Sequence, residues 1–160
     1  MLDNVSKIIN TIFNIFIVVA LSAMVLLVFT NAALRYLANT GIAEVEELGR
    51  YFFIWTVFLG TIAAFKDGQH VGVDVLIKTL KGTKLLVFKT IGYIAIFIAL
   101  GVVLVGSISY VRTSMPSLGP ATGIPFGIMA FSLTLAMVSM LSLVVVDMVK
   151  FYKNYGQKGE

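Results

Sequence analysis

Four long runs without a charged residue dominate the sequence. They cover 8–34, 51–65, 90–111 and 113–146. A helix needs about 20 apolar residues to cross a bilayer, because it rises about 1.5 Å per residue and the hydrocarbon core is about 30 Å thick. Only 12% of the residues are charged, against about 25% in a soluble domain. The sequence therefore predicts an all-α membrane protein, a single domain over 1–160, with four transmembrane helices.

Two of the runs need their ends adjusted. The 51–65 run has 15 residues, too few to cross, so we expect its helix to extend upstream into charged residues. The start of the last run carries turn-forming residues, namely Pro116, Gly119, Pro120 and Gly123. We therefore expect the fourth helix to begin at Pro125, since proline suits a first helical position. The predicted spans are about 8–34, 46–65, 86–111 and 125–150.

The basic residues predict the orientation. Nine lysines lie before span one, between spans two and three, or after span four. The other ends of the spans carry three arginines, Arg35, Arg50 and Arg112. Because cytoplasmic loops are enriched in lysine and arginine, we expect both termini and the middle loop in the cytoplasm.

The middle loop has a helical pattern over about 72–81. Apolar residues recur at i, i+3, i+4 and i+7, while Asp74, Lys78 and Lys81 fall on another face. This predicts a short amphipathic interfacial helix with lysines toward anionic lipid head groups. The alternative is a loop that is amphipathic by chance.

Residues that carry enzyme or metal chemistry are scarce. There is no cysteine and one histidine, His70, which lies in a loop. We expect no enzyme activity, no catalytic, substrate-binding or metal-binding residue, and no cofactor. The net charge of +4 is too scattered for a nucleic-acid partner.

Small and hydroxylated residues in the spans have a structural interpretation. They let transmembrane helices approach closely and hydrogen-bond. We assign the following to helix packing: Gly60, Gly101, Gly106, Ser132, Ser139 and Ser142. Trp55 lies a turn inside the second span, so we expect it at a helix contact as well.

A cluster of charges marks the first hairpin, with Arg35 ending span one and Glu46, Glu47 and Arg50 opening span two. On a helix Arg50 lies within reach of both acids, three and four residues before it. If Arg50 pairs with one of them, the other is free to pair with Arg35 across the hairpin. Such a cluster either braces this hairpin or turns outward to dock a partner subunit.

One segment resembles a known family. The matching residues are Arg35-Tyr36, Glu46-Glu47-Leu48, Arg50-Tyr51, Trp55, Phe58-Leu59-Gly60, Gly68, His70 and Val73-Asp74, with a weaker match at Gly123-Ile124-Pro125. They resemble the small integral-membrane subunit, the Q-type or DctQ-like subunit, of tripartite ATP-independent periplasmic (TRAP) transporters.

This resemblance implies an accessory role in the bacterial inner membrane. In such systems a periplasmic protein captures a carboxylate, of the C4-dicarboxylate or sialic acid class, and a large permease subunit moves it by a sodium-driven elevator. The small subunit would scaffold the large one among membrane lipids. The resemblance also implies that Arg35, Glu46, Glu47 and Arg50 form ion pairs within this subunit or with the large one, and that the 112–123 loop lies near the binding protein.

Another class of function is a self-sufficient small carrier or channel that forms a homo-oligomer. It requires a charged residue in the middle of the bilayer or a polar stripe along a helix. The interiors of spans one, three and four hold no acid. A redox-enzyme anchor would require histidine ligands, and the chain has a single histidine.

Overall fold

A computed structural model describes residues 2–66 and 83–156. These residues form four helices: α1 Leu2–Ala38, α2 Ala43–Lys66, α3 Thr83–Ser114 and α4 Gly127–Gly156. Each contains a stretch long and apolar enough to cross a membrane: Asn10–Ala38, Ala43–Lys66, Lys84–Ser114 and Gly127–Lys153. The prediction of four spans is confirmed.

All four helices differ from the predicted spans by a few residues at their ends, and two of these differences bear on the charged cluster and the loop before α4. α2 begins at Ala43, three residues before the expected start, and takes in all of the acids of the charged cluster. α4 begins at Gly127 because Pro125 forms an isolated antiparallel bridge with Leu118. The predicted interfacial helix, with Asp74, Lys78 and Lys81, lies outside the described residues.

The helices lie side by side in the order α1, α2, α4, α3. α2 contacts both α1 and α4, and α3 contacts α4, whereas within the described ranges α1 and α3 do not touch. The buried core lies mainly between α2 and α4 and consists of Leu59, Ile62, Phe65, Ala136, Met137, Met140 and Val144. The two central helices therefore hold the fold together.

The outer helices remain largely uncovered. In their most apolar stretches, 6% of the residues of α1 and of α3 are buried, against 28% for α2 and 33% for α4. A helix that is apolar on all sides can face lipid or another protein with any of its faces. Both flanks of the row are therefore surfaces for lipid or for other chains.

The end of the bundle that carries the 39–42 turn and the 115–126 loop is here called the hairpin end. Asn39 closes α1 with a positive φ of 54°, a conformation that asparagine tolerates better than most residues. The Asn31 side-chain oxygen accepts a hydrogen bond from the Ile42 amide at 2.9 Å. This bond ties the turn to the last part of α1.

The opposite end is held by polar and aromatic contacts. Thr90 of α3 and Tyr152 of α4 lie 2.6 Å apart through their hydroxyl oxygens, and the Lys89 ammonium lies 4.5 Å from the centre of the Phe151 ring. The α1–α2 pair has its own contact there, a hydrogen bond from Lys66 to Asn10.

Candidate functional site

The charged cluster divides between two environments at the hairpin end. Arg35 of α1 and Glu46 of α2 form an ion pair with 3.7 Å between Nη2 and Oε2, and their side chains are 69% and 54% exposed. Such an exposed pair contributes little, about 0–1 kcal/mol. It spans the first hairpin without burying either charge.

Arg50 does not make the pairs that its spacing suggests. No carboxylate of residues 2–66 or 83–156 lies within 4.0 Å of its guanidinium, and the side chain is exposed. The reason is that Glu46 pairs with Arg35 of α1, and the Glu47 carboxylate is bound by the 115–126 loop. The expected Arg50–Glu46 and Arg50–Glu47 ion pairs are therefore not formed.

Glu47 is the buried member of the cluster, with 2% of its surface exposed. Its carboxylate accepts hydrogen bonds from the Thr122 hydroxyl at 2.7 Å, the Ala121 amide at 2.9 Å and the Thr122 amide at 3.3 Å. A buried carboxylate is costly unless donors surround it, and three donors of one loop do so here. Glu47 thus fixes the 115–126 loop to α2.

Two glycines let the loop approach this carboxylate. A Cβ built on Gly119 would overlap the Glu47 side chain. Gly123 has a φ of +70°, which favours glycine because it has no Cβ. Two backbone hydrogen bonds fold the loop on itself, one from the Gly119 amide to the Ile124 carbonyl and one from the Gly123 amide to the Gly119 carbonyl, both 2.9 Å.

Tyr51 contributes a second anchor one helical turn after Glu47. Its hydroxyl donates a hydrogen bond to the Ile124 carbonyl at 2.7 Å. Its ring stacks on Phe126 with 6.4 Å between the ring centres. We call Glu47, Tyr51, Gly119, Thr122 and Ile124 the loop clamp.

Sequence reasoning placed Glu47 in the first hairpin and did not find the clamp. The available signal was the i, i+4 spacing of Glu47 and Tyr51, which puts two polar groups on one face of α2. Their partners lie 73 to 75 residues further along the chain. Only the packing of α4 beside α2 brings the two segments together.

The tryptophan and the glycines expected at helix contacts have different surroundings. Trp55 is partly buried and packs against the core cluster. Among the described residues, and apart from the backbone of its own helix, nothing lies within 4 Å of a Cβ built on Gly60; the same is true at Gly101 and Gly106. Close helix approach within residues 2–66 and 83–156 therefore does not explain these glycines.

The serine hydroxyls of α4 are used by their own helix. Ser132 donates to the Met129 carbonyl at 2.6 Å, Ser139 to Leu135 at 2.8 Å and Ser142 to Ser139 at 2.7 Å. Hydroxyls that bond to the preceding turn need no further acceptor in a lipid environment. They do not form the polar stripe that a channel requires.

Comparison with known proteins identifies the family. The family model for tripartite ATP-independent periplasmic transporters, DctQ component, matches residues 24–154. Two putative TRAP transporter small permease proteins of Haemophilus influenzae are similar over most of their length. One is 31% identical over 149 residues, covering 93% of this chain and 92% of the relative. The other is 30% identical over 141 residues, covering 88% and 86%.

A third relative matches over a shorter segment. The C4-dicarboxylate TRAP transporter small permease protein DctQ of Vibrio cholerae is 42% identical over 57 residues, which cover 36% of this chain and 25% of that protein. The matched family and the four membrane-crossing helices agree with a multi-pass protein of the inner membrane. This chain therefore belongs to the DctQ family, the small permease subunits of TRAP transporters.

Proposed function

We propose that this chain is a non-catalytic subunit that anchors and scaffolds the large, elevator-type permease subunit of a sodium-driven TRAP transporter. The observation that carries the proposal is the exposed apolar surface of the two outer helices, where 6% of the most apolar stretch is buried. A subunit that scaffolds another needs such a surface, whereas a self-contained carrier buries its working helices around a path.

The middle of each span supports a role without transport chemistry. No charged residue occurs in 8–34, 51–65, 90–111 or 113–146. Binding of a carboxylate or of sodium at membrane depth requires charged or coordinating polar groups there. We therefore assign the substrate and sodium sites to the large subunit.

The transported substrate is proposed to be a carboxylate. One relative is named as a subunit of a C4-dicarboxylate transporter, and the family resemblance also includes sialic acids. The third proposed component is a periplasmic binding protein that delivers the substrate to the large subunit.

The proposed orientation has both termini in the cytoplasm, because nine lysines lie on that side and three arginines on the other. The hairpin end then faces the periplasm. The loop clamp fixes the 115–126 loop on the side from which a loaded binding protein approaches.

Affinity purification of the tagged chain from its native membrane, followed by mass spectrometry, tests the proposal. We expect a large many-span permease subunit in equal amount. Reconstituted liposomes should take up the carboxylate only when the large subunit, the binding protein and a sodium gradient are all present. The control uses liposomes with this chain alone, and uptake by them would instead support a homo-oligomeric carrier or channel.

A further inference from the structure

A groove of about 540 Å³ lies between α1 and α2 at the hairpin end. Its charged rim holds Arg35, Glu46 and Arg50, and its apolar wall holds Met24, Val28 and Phe53. From Arg35 to Met24 the groove follows α1 for about 16 Å at the rise of a helix. The groove therefore extends from the level of the lipid head groups to the level of the acyl chains.

A glycine shapes the floor of this groove. Gly49 is buried, and a Cβ built there would lie 3.3 Å from Cγ2 of Val28. α1 and α2 therefore approach closely behind the groove. In front, Val28 and Phe53 are each 53% exposed, so the apolar wall is open to the surrounding membrane.

The rim carries an excess positive charge. Arg35 is paired with Glu46, while the Arg50 guanidinium has no carboxylate within 4.0 Å in the described part of the chain. The Asn31 oxygen, also in the groove, already accepts the Ile42 amide. Two guanidinium groups and one carboxylate line the groove, which gives its rim a formal charge of +1 that an anion would complement. The Glu47 carboxylate lies outside the groove, interacts electrostatically with Arg50 and offsets part of this charge.

We propose that the groove binds one anionic phospholipid. Its phosphodiester would be held by Arg50, because a guanidinium presents paired donors that match phosphate oxygens. One acyl chain would lie along Met24, Val28 and Phe53. A single amphiphile thus supplies both an anion for the rim and apolar surface for the wall, whereas a zwitterionic head group would bring another cation beside two arginines.

Native mass spectrometry of the tagged protein, isolated with its bound subunits, tests this site. The protein is placed in nanodiscs containing phosphatidylglycerol and phosphatidylcholine, and the bound lipids are identified. We expect one retained phosphatidylglycerol, and roughly tenfold weaker retention in Arg50→Gln, since a hydrogen bond to a charged group contributes about that factor. The matched control is Arg112→Gln, an exposed arginine in the last turn of α3, which should retain the lipid.

A second variant tests the apolar wall without removing a charge. Ala32 lines the groove and is exposed, so Ala32→Phe should fill part of the space and displace the lipid while both arginines remain. Inorganic phosphate lacks an acyl chain and should not displace the lipid at millimolar concentration.

Three results would overturn the proposal. Equal lipid retention in Arg50→Gln and Arg112→Gln would mean that the lipid is non-specific. Full displacement by inorganic phosphate would reduce the groove to an anion site. Loss of the large subunit from Arg50→Gln with unchanged lipid retention would make the groove a contact between subunits, and would leave the scaffolding function intact.

Discussion

The Glu47 carboxylate occupies the space that a Cβ on Gly119 would need. The two residues lie on α2 and in the 115–126 loop, and the carboxylate accepts its three hydrogen bonds from the residues directly after Pro120. The acid and the glycine therefore form one structural unit, in which each residue type requires the other.

This relationship predicts a dependence between two substitutions. Gly119→Ala should lower the free energy of unfolding by about 1–3 kcal/mol, because it overpacks a buried contact. In a Glu47→Ala background, where the carboxylate is absent, the same change should cost much less. A double-mutant cycle of thermal unfolding in detergent measures the difference.

The matched control for this cycle is Gly106→Ala. In the part of the chain that the structure describes, nothing within 4 Å obstructs a Cβ there, apart from the backbone of its own helix. Alanine is favoured over glycine in a helix by up to about 1 kcal/mol. Additive effects of Gly119→Ala and Glu47→Ala would contradict the proposed contact.

The hydrogen bonds of the clamp predict graded losses. Glu47→Gln keeps the shape, and its amide oxygen can still accept from the Ala121 and Thr122 amides, but its NH2 group then faces the Thr122 hydroxyl, which must change from donor to acceptor. Because the bonds also lose the carboxylate charge, we expect a loss of about 1.5–3 kcal/mol. Tyr51→Phe removes only the bond to Ile124 and should cost about 1 kcal/mol. Thermal unfolding of the purified variants measures both.

Glu44→Gln is the control for the acid, because Glu44 is exposed in the first turn of α2. It should change stability by less than about 0.5 kcal/mol. If Glu44→Gln and Glu47→Gln had the same effect, general charge at the start of α2 would explain the result and the clamp would not.

The exposed ion pair predicts a specific partner for Glu46. The double variant Arg35→Glu with Glu46→Arg exchanges the two charges, and its favourable coupling free energy should be at most about 1 kcal/mol. The combination of Arg50→Glu with Glu46→Arg should show no favourable coupling, since Glu46 reaches Arg35. Double-mutant cycles on thermal stability separate the two, and stronger coupling of Glu46 to Arg50 would contradict the observed pairing.

The proposed orientation predicts which positions react with an impermeant thiol reagent. The chain has no cysteine, so any labelling of a variant with one introduced cysteine occurs at that position. Thr40→Cys and Ser117→Cys, both exposed at the hairpin end, should be labelled by a charged maleimide in cells with a permeabilised outer membrane. Lys153→Cys should be labelled only after the inner membrane is broken. The reverse pattern would invert the topology.

The sequence predicts the helices more fully than their arrangement. Run length located all four spans, and the turn-forming residues before Pro125 located the loop after α3. The order of the helices was not accessible, because the central part of α3 is apolar on all sides. The few polar residues of α1, such as Asn10 and Asn31, do not indicate which helix they face. For the same reason the partners of Glu47 could not be found, since Thr122 meets it only through the contact of α2 with α4.

The central position of α4 has a consequence for biosynthesis. The ribosome completes α3 before α4, yet in the finished row α4 lies between α2 and α3. A nascent chain with three helices in the membrane therefore has no partner for the α4-facing side of α2, and the loop that binds Glu47 is not yet held beside it. The bundle can therefore assemble only after α4 has been inserted. A chain that terminates before α4 lacks one of the two central helices.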